Sequence, residues 1–352
     1  MPGSPYTDLD RPPLDARRLR RALIVPDGLW TELVLHTETG STNADAAEAA
    51  RSGAPEGLVV VAERQTAGRG RRGRSWESPA RAGIAVSVLL RPGTAVPDRG
   101  WPAVPAARHG WLPLLAGVAL VEAVDRLAEL GSALKWPNDL LVWPRLVPPR
   151  PAPTGAEPAG PDPAGLDRPR PGQVGPEPPS PGPNGLLRPN PRAAGPAPVG
   201  PPSEGEAKCA GILAEGVATN AEEPAAVVLG VGLNVTLRAD ELPVNPTGLP
   251  ATSLQLAGAV ATDRDPLLRE LLRGIERWYG RWRAVGGDAR ECGLHEAYVR
   301  SCATLGREVR VLLPGGKDLV GVATAIDPDG HLVLDTAVGE RRVAAGEVLH
   351  LR

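Results

Sequence analysis

The chain has 352 residues and a formal net charge of −2, so it is long enough for more than one domain and lacks the chain-wide positive charge of a generic polyanion binder. Its three cysteines, Cys209, Cys292 and Cys302, form no CxxC pair, which argues against a disulfide framework or a zinc site and fits a reducing compartment. The opening MPGSPYTDLDRPP has no signal-peptide core and no apolar run reaches bilayer length, so a soluble cytoplasmic protein is expected.

In chain order, Ala16 to Leu23 reads as a short arginine-rich helix and Leu33 to His36 as a strand. Thr39-Gly-Ser-Thr-Asn43 then precedes an alanine-rich helix from Ala44 to Arg51. Ser41 or Thr42 suits the N-cap, or else its hydroxyl meets a ligand at the positive helix end. Leu58 to Ala62 is a buried strand that delivers Gln65 to the run Thr66–Trp76, TAGRGRRGRSW. Gly68, Gly70 and Gly73 alternate there with Arg69, Arg71, Arg72 and Arg74, a pattern with no apolar face for a helix or strand. Glycine lets amides turn inward and arginine supplies fixed charge, so the run reads as a phosphate cradle or as a solvated basic or nucleic-acid loop. The strand Gly83 to Leu90 follows, giving the loop a rigid base while leaving it free to act as a lid.

Leu112 to Leu130 predicts a core helix, and Ala133 to Val142, containing KWPND, a strand interrupted by Pro137. From 144 to 206 proline, glycine and alanine dominate, too little apolar mass to offset ordering entropy, which predicts a disordered insertion. Strands resume at Cys209 to Glu215 and Ala226 to Val235, before a helix from Asp265 with an apolar face of Leu267, Leu268, Leu271, Leu272, Ile275, Trp278, Tyr279 and Trp282. Beyond Leu305 four or five short strands with tight turns predict a small barrel.

Arginine is so favoured that Lys135, Lys208 and Lys317 are the only lysines. A retained lysine points to a need for a compact ammonium, Lys317 in its PGGKD turn excepted. Many cations and no evident nucleophilic serine or cysteine suit anion binding rather than triad chemistry. Asn138 and Asn234 offer amides that match an adenine edge or else simply make turns. Gly211 and Gly232 permit close approach of a flat ligand. Together these residues suggest a carboxylate activated by ATP to an acyl adenylate.

GRGRRGRSW after Gln65, then KWPNDLLV, KCAGILAE and GVGLNV, in that order, resemble the signature blocks of biotin–protein ligases. The resemblance spans Leu33 to Arg352 apart from the proline-rich segment. It implies an α+β fold: a class II aminoacyl-tRNA synthetase-like catalytic domain, a mixed sheet with flanking helices, plus a small C-terminal SH3-like β-barrel. The implied domains are an N-terminal extension at 1–30, a catalytic domain at 31–304 interrupted at 144–206, and the barrel at 305–352. It also implies biotin and MgATP as substrates, a biotinoyl-AMP intermediate, and transfer to a lysine of a biotin carboxyl carrier protein of an acyl-CoA carboxylase.

By that resemblance Ser41, Thr42, Gln65 and the backbone of Arg69 bind the ureido ring. Trp76 lies along the acyl tail beside Gly211 and Gly232. Lys208, with Arg71 and Arg69, carries the catalysis, Lys208 touching both the carboxylate and the α-phosphate. Gly68, Gly70, Arg71, Gly73 and Arg74 close over the adenylate, Lys135, Asn138 and Asn234 complete the nucleotide site, and Asp139 is the magnesium ligand. Glu347 and Arg352 touch the loop from the barrel. The long insertion leaves the placement of Lys208 to KCAGI alone. With no N-terminal DNA-binding domain, neither a repressor nor a DNA or membrane partner is expected. A lipoate–protein ligase and an arginine-loop nucleic-acid binder are the alternatives, and the oligomeric state stays open.

Overall fold

A computed structural model describes residues 11–143, 205–218, 225–243, 249–313 and 318–351. Most of the proline-rich segment, Lys317 and Arg352 therefore lie outside the described residues. Glu206 does not: it is buried and pairs with Arg307 at 2.6 Å, so it belongs to the folded body although it was expected in the insertion.

The chain order is α1 (Ala16–Leu23), β1 (Glu32–His36), α2 (Thr42–Arg51), β2 (Leu58–Ala62), β3 (Gly83–Leu90), α3 (Trp111–Leu127), β4 (Ser132–Lys135), β5 (Asp139–Val142), β6 (Ala207–Val217) and β7 (Ala226–Asn234). Then come α4 (Arg264–Ala284), α5 (Leu294–Ser301), β8 (Glu308–Leu312), β9 (Asp318–Ile326), β10 (Leu332–Thr336), β11 (Gly339–Val343) and β12 (Glu347–His350). Seven strands form one sheet in the order β1-β2-β3-β7-β6-β5-β4, parallel at β1–β2 and antiparallel elsewhere. The last five strands form a separate antiparallel sheet, β11-β10-β9-β8-β12.

The uninterrupted apolar run of β2 is explained by cover on both faces. Val59 and Val61 enter the main core with α1, α3 and α4, while Leu58 and Val60 meet Ala46 and Ala50 of α2. Small side chains let α2 lie close to the sheet, and all eight residues of the apolar face expected on α4 are buried. Leu14, Leu19 and Leu23 belong to the same core, so α1 packs as part of the large-sheet body. Glu63 and Arg264 form a buried ion pair whose other bonds reach Leu14 N, Pro12 O and Gly83 O, fixing the base from which the arginine loop springs.

Two local readings need correction. The segment Ala133 to Val142 is a hairpin, β4 and β5, because Pro137 has no N–H for a ladder and Asn138 N closes a turn onto Lys135 O at 3.1 Å. Arg341 to Leu351 divides into β11 and β12. The sequence reading placed no element at α5, where Leu294, Ala297 and Tyr298 are buried. No helix of the described residues is long and apolar enough to cross a membrane.

Candidate active site

On the α2 face of the large sheet a cavity of about 440 Å³ opens where helix cover stops. The strand β7 acts as a ruler along it. Gly230 lies beneath Asn43, Gly232 beneath Trp76, and Asn234 at the far end, a span of roughly 13 Å at 3.3 Å per residue.

The first end is polar. Ser41 holds the cap position of α2 without a side-chain capping bond, so capping does not account for the hydroxyls. Thr42 instead donates its N–H to Gln65 Oε1 at 2.8 Å, and its Oγ1 lies 3.0 Å from the same oxygen. Ser87, Asn43 and Glu215 extend this network, and the sequence reading assigned none of them a role. Asn43 was legible in the STN block. Gly230 and Gly232, at alternate positions of a buried strand, signal that something lies flat on that face. A single serine in an apolar strand gave no signal for Ser87.

The middle is a narrow slot. A Cβ at position 232 would stand 2.5 Å from the Trp76 ring and one at 211 would stand 3.2 Å from it, so both glycines set the slot's depth. Trp76 closes a miniature hairpin rather than a shapeless loop. Trp76 N bonds Gly68 O at 2.9 Å, Arg69 bridges Ser75, and Gly70 N bonds Arg74 O at 2.7 Å. Gly68 is required because a Cβ there would collide with Trp76 O, and Gly73 takes a φ of +75° at the tip. Arg72 has φ 58°, a left-handed conformation that costs a side-chain-bearing residue about 1 kcal/mol or more.

The far end is cationic. Lys208 and Gly211 are an odd number apart, yet both line the cavity. The register shift opposite Leu140 and Leu141 makes this possible, since a bulge turns a side chain to the other face. Lys208 Nζ lies 2.7 Å from Asp139 Oδ1, off the hydrogen-bond axis, and Lys135 Nζ lies 3.9 Å from Oδ2. Arg71 donates to Asn138 Oδ1 at 3.3 Å, and Asn138 Nδ2 donates to Ile212 O at 3.1 Å. Burial lowers the pKa of both Arg71 and Lys135, and the charge of Asp139 opposes the shift in each case.

Ser41, Thr42 and Gln65, then Trp76, Gly211 and Gly232, then Arg69, Gly70, Arg71 and Arg74, with Lys208, Asn138 and Asn234, all border this one cavity. Gly68 and Gly73 shape the loop, and Asp139 stands behind the wall as the shared partner of Lys208 and Lys135. Three of these residues also have partners within the protein. Asn138 spends its amide on Arg71 and Ile212, and Asn234 Nδ2 donates to Thr252 O at 2.9 Å, so both amides first position protein groups. Asp139 faces two ammonium groups, a donor set that does not fit a resident magnesium ion.

The small sheet holds the loop from outside. Arg74 Nη1 donates to Glu347 Oε1 at 3.0 Å and Arg72 Nη1 to Leu312 O at 3.2 Å, as expected for Glu347. Arg72 and Arg74 are thus partly spent on the protein itself, unlike a free polyanion-binding strip. Behind the loop, Trp136 N donates to Thr304 Oγ1 at 3.0 Å, and Thr304 meets His350, whose Nδ1 accepts from Arg307 at 3.1 Å.

Comparison with known proteins agrees with this layout. The Biotin/lipoate A/B protein ligase family matches residues 37–147, and the Biotin protein ligase C terminal domain matches residues 304–351. The biotin–[acetyl-CoA-carboxylase] ligase of Mycobacterium tuberculosis is 38% identical over 98% of this chain and 100% of that protein. The bifunctional ligase/repressor BirA of Bacillus subtilis is 27% identical over 91% of this chain and 76% of its own length. The solved biotin protein ligase from Aquifex aeolicus in complex with biotin and ATP superposes with a TM-score of 0.57 at 21% identity, over 92% of this chain and 100% of that one, a likeness of fold. The chain belongs to the biotin protein ligase family.

Proposed function

We propose that the chain attaches biotin to a lysine of a biotin carboxyl carrier domain of an acyl-CoA carboxylase, by way of biotinoyl-5'-AMP. The observation that carries this is one cavity with three zones in a fixed order: polar at Thr42 and Gln65, slot-like at Trp76 and Gly232, cationic at Lys208 and Arg71. A bicyclic ureido head, a valeryl tail and a carboxylate fit that order.

In the first half-reaction a biotin carboxylate oxygen attacks the α-phosphorus of ATP. The bond from the α-phosphorus to the bridging oxygen breaks, and pyrophosphate leaves with the electron pair. Lys208 lies where the tail ends, and its ammonium balances charge at the carboxylate and α-phosphate. Arg71, at the hairpin tip and held by Asn138, adds a second fixed charge and helps exclude water from the mixed anhydride. In the second half-reaction a neutral carrier lysine attacks the acyl carbon, AMP leaves, and an amide forms. Magnesium enters as MgATP, a substrate complex.

In this reading the large sheet and its helices hold the substrates, and Leu312 and Glu347 of the small sheet brace the loop through Arg72 and Arg74. Biotin-dependent exchange of pyrophosphate into ATP tests the assignment. Exchange with biotin and none with lipoate is the expected result; exchange that ignores biotin would overturn it.

A further inference from the structure

The polar end of the cavity holds a row of groups with too few protons. Ser87 Oγ, in the middle of β3, lies 2.6 Å from Asn43 Oδ1 and 2.8 Å from Thr42 Oγ1. Thr42 Oγ1 lies 3.0 Å from Gln65 Oε1, and Thr42 N–H fixes that amide by donating to the same oxygen. At the other end Asn43 Nδ2 donates to Glu215 Oε2 at 2.6 Å. Three oxygen–oxygen contacts therefore run from Asn43 through Ser87 and Thr42 to Gln65, and only the two hydroxyls bring protons to them. Thr42, Asn43 and Ser87 are buried, with relative exposures of 3%, 6% and 0%, so bulk water does not fill the gap. The site is built for this row: a Cβ at Gly230 would collide with Asn43 Oδ1.

Which contact goes without a proton is decided at Glu215. A carboxylate only accepts, so Asn43 must turn Nδ2 toward it and Oδ1 toward Ser87. The Ser87 proton then goes to Asn43 Oδ1, the shorter of its two contacts, the Thr42 proton goes to Gln65 Oε1, and Thr42 Oγ1 receives no proton from Ser87. We propose that Glu215 is a positioning residue for head-group specificity: acting through Asn43 and Ser87, it leaves Thr42 Oγ1 as an open acceptor for a ligand N–H. This rests on the biotin reading above, since a ureido ring supplies such an N–H and a dithiolane ring does not. A buried hydroxyl oxygen set against another without a proton between them is unfavourable until a donor arrives, so the empty site is primed for one and rejects heads without it.

The test is Glu215→Gln, which keeps the shape but gives Asn43 a partner that donates as well as accepts. Asn43 Nδ2 then donates to Ser87 and Ser87 to Thr42 Oγ1, while Thr42 still donates to Gln65, so the open oxygen of Thr42 is filled. Calorimetric titration with biotin alone should show a Kd raised roughly ten- to hundredfold, with the melting temperature and the KM for ATP unchanged. In a Ser87→Ala background the row is already cut, so Glu215→Gln should add less than about twofold. If Ser87→Ala does not fold, Asn43→Ala makes the same cut. Unchanged biotin affinity in Glu215→Gln, or its full effect persisting after the cut, overturns the proposal while wild-type biotin binding leaves the ligase reading standing. Failure of the wild-type protein to bind biotin overturns both.

Discussion

At the head-group end of the cavity most polar side chains are rooted in regular structure: Thr42 and Asn43 in the first turn of α2, Ser87 in β3, Glu215 in β6, with Gln65 three residues past β2 and held by a bridge to Thr39. At the phosphate end the groups sit on irregular backbone. Lys208 is turned inward beside a bulge, Asn138 lies in the β4–β5 turn, and Arg71 rides a hairpin whose neighbours reach a second sheet. The contrast suits two tasks. A small rigid head is recognised by groups held in place beforehand, whereas a charged intermediate must be enclosed and later released, which needs parts that move.

The comparison is broken most severely by removing the cation where the two ends meet. Lys208→Ala should lower kcat for pyrophosphate exchange by about 10²- to 10³-fold, the usual loss for one preorganised charge at a reacting centre. Biotin affinity and melting temperature should change far less. A folded variant with normal exchange would move the role to Lys135. Next in size is Gly232→Ala, whose new Cβ would stand 2.5 Å from the Trp76 ring. Overpacking of about 1–3 kcal/mol predicts a rise of roughly 5- to 150-fold in KM for biotin, with kcat less affected. An equal loss in kcat alone would show that Trp76 serves the phosphate end.

These two residues also show what was legible in the chain. Gly232 and Lys208 stood out because glycine in a strand and lysine among arginines are choices that a plain core or surface does not require. Trp76 and the loop were visible by composition, but their conformation was not. Bonds from Gly68 to Trp76 and from Gly70 to Arg74 make a hairpin without any apolar alternation to announce it. The two large-sheet faces were readable from β2 and the α4 stripe. The bulge beside Lys208 was not, because register depends on partner strands distant in sequence. Glu215 and Ser87 were hidden for a related reason, as they act by proton count with α2 across the sheet. Asn138 and Asn234 were found as site residues, yet their amide partners come from tertiary neighbours.

The dependence of the phosphate end on the small sheet should appear as acid sensitivity. Burial, with the nearby charges of Lys135 and Arg307, lowers the His350 pKa to about 3. The folded protein thus keeps this ring neutral while the unfolded chain protonates it near pH 6.5. Stability from His350 is full above pH 6.5 and is lost as pH falls toward 3, by up to about 1.4 kcal/mol per pH unit. His109, lowered mainly by burial, acts in the same direction. Glu241, lowered to about 2 chiefly by its bond with Arg11, adds its loss only as pH falls from 4.5 toward 2. Urea unfolding between pH 4.5 and 6.5 therefore isolates the histidines. His350→Gln should flatten the slope there, and an unaltered slope would assign it to His109.

The smallest effect separates bracing from catalysis. The Arg74–Glu347 pair is about half exposed at Arg74, so it contributes no more than about 1 kcal/mol to stability. Glu347→Gln should leave the melting temperature and biotin affinity unchanged. Because the pair steadies one arm of the hairpin whose tip carries Arg71, the KM for ATP should rise by a few-fold and biotinoyl-AMP should escape faster. Raised salt should mimic the substitution in the unaltered protein, since an exposed pair is screened, while the buried polar row at Thr42 should not respond. Equal salt sensitivity of biotin affinity and adenylate retention would mean that the two ends are not built differently, and the division between a fixed recognition end and a movable phosphate end would fall.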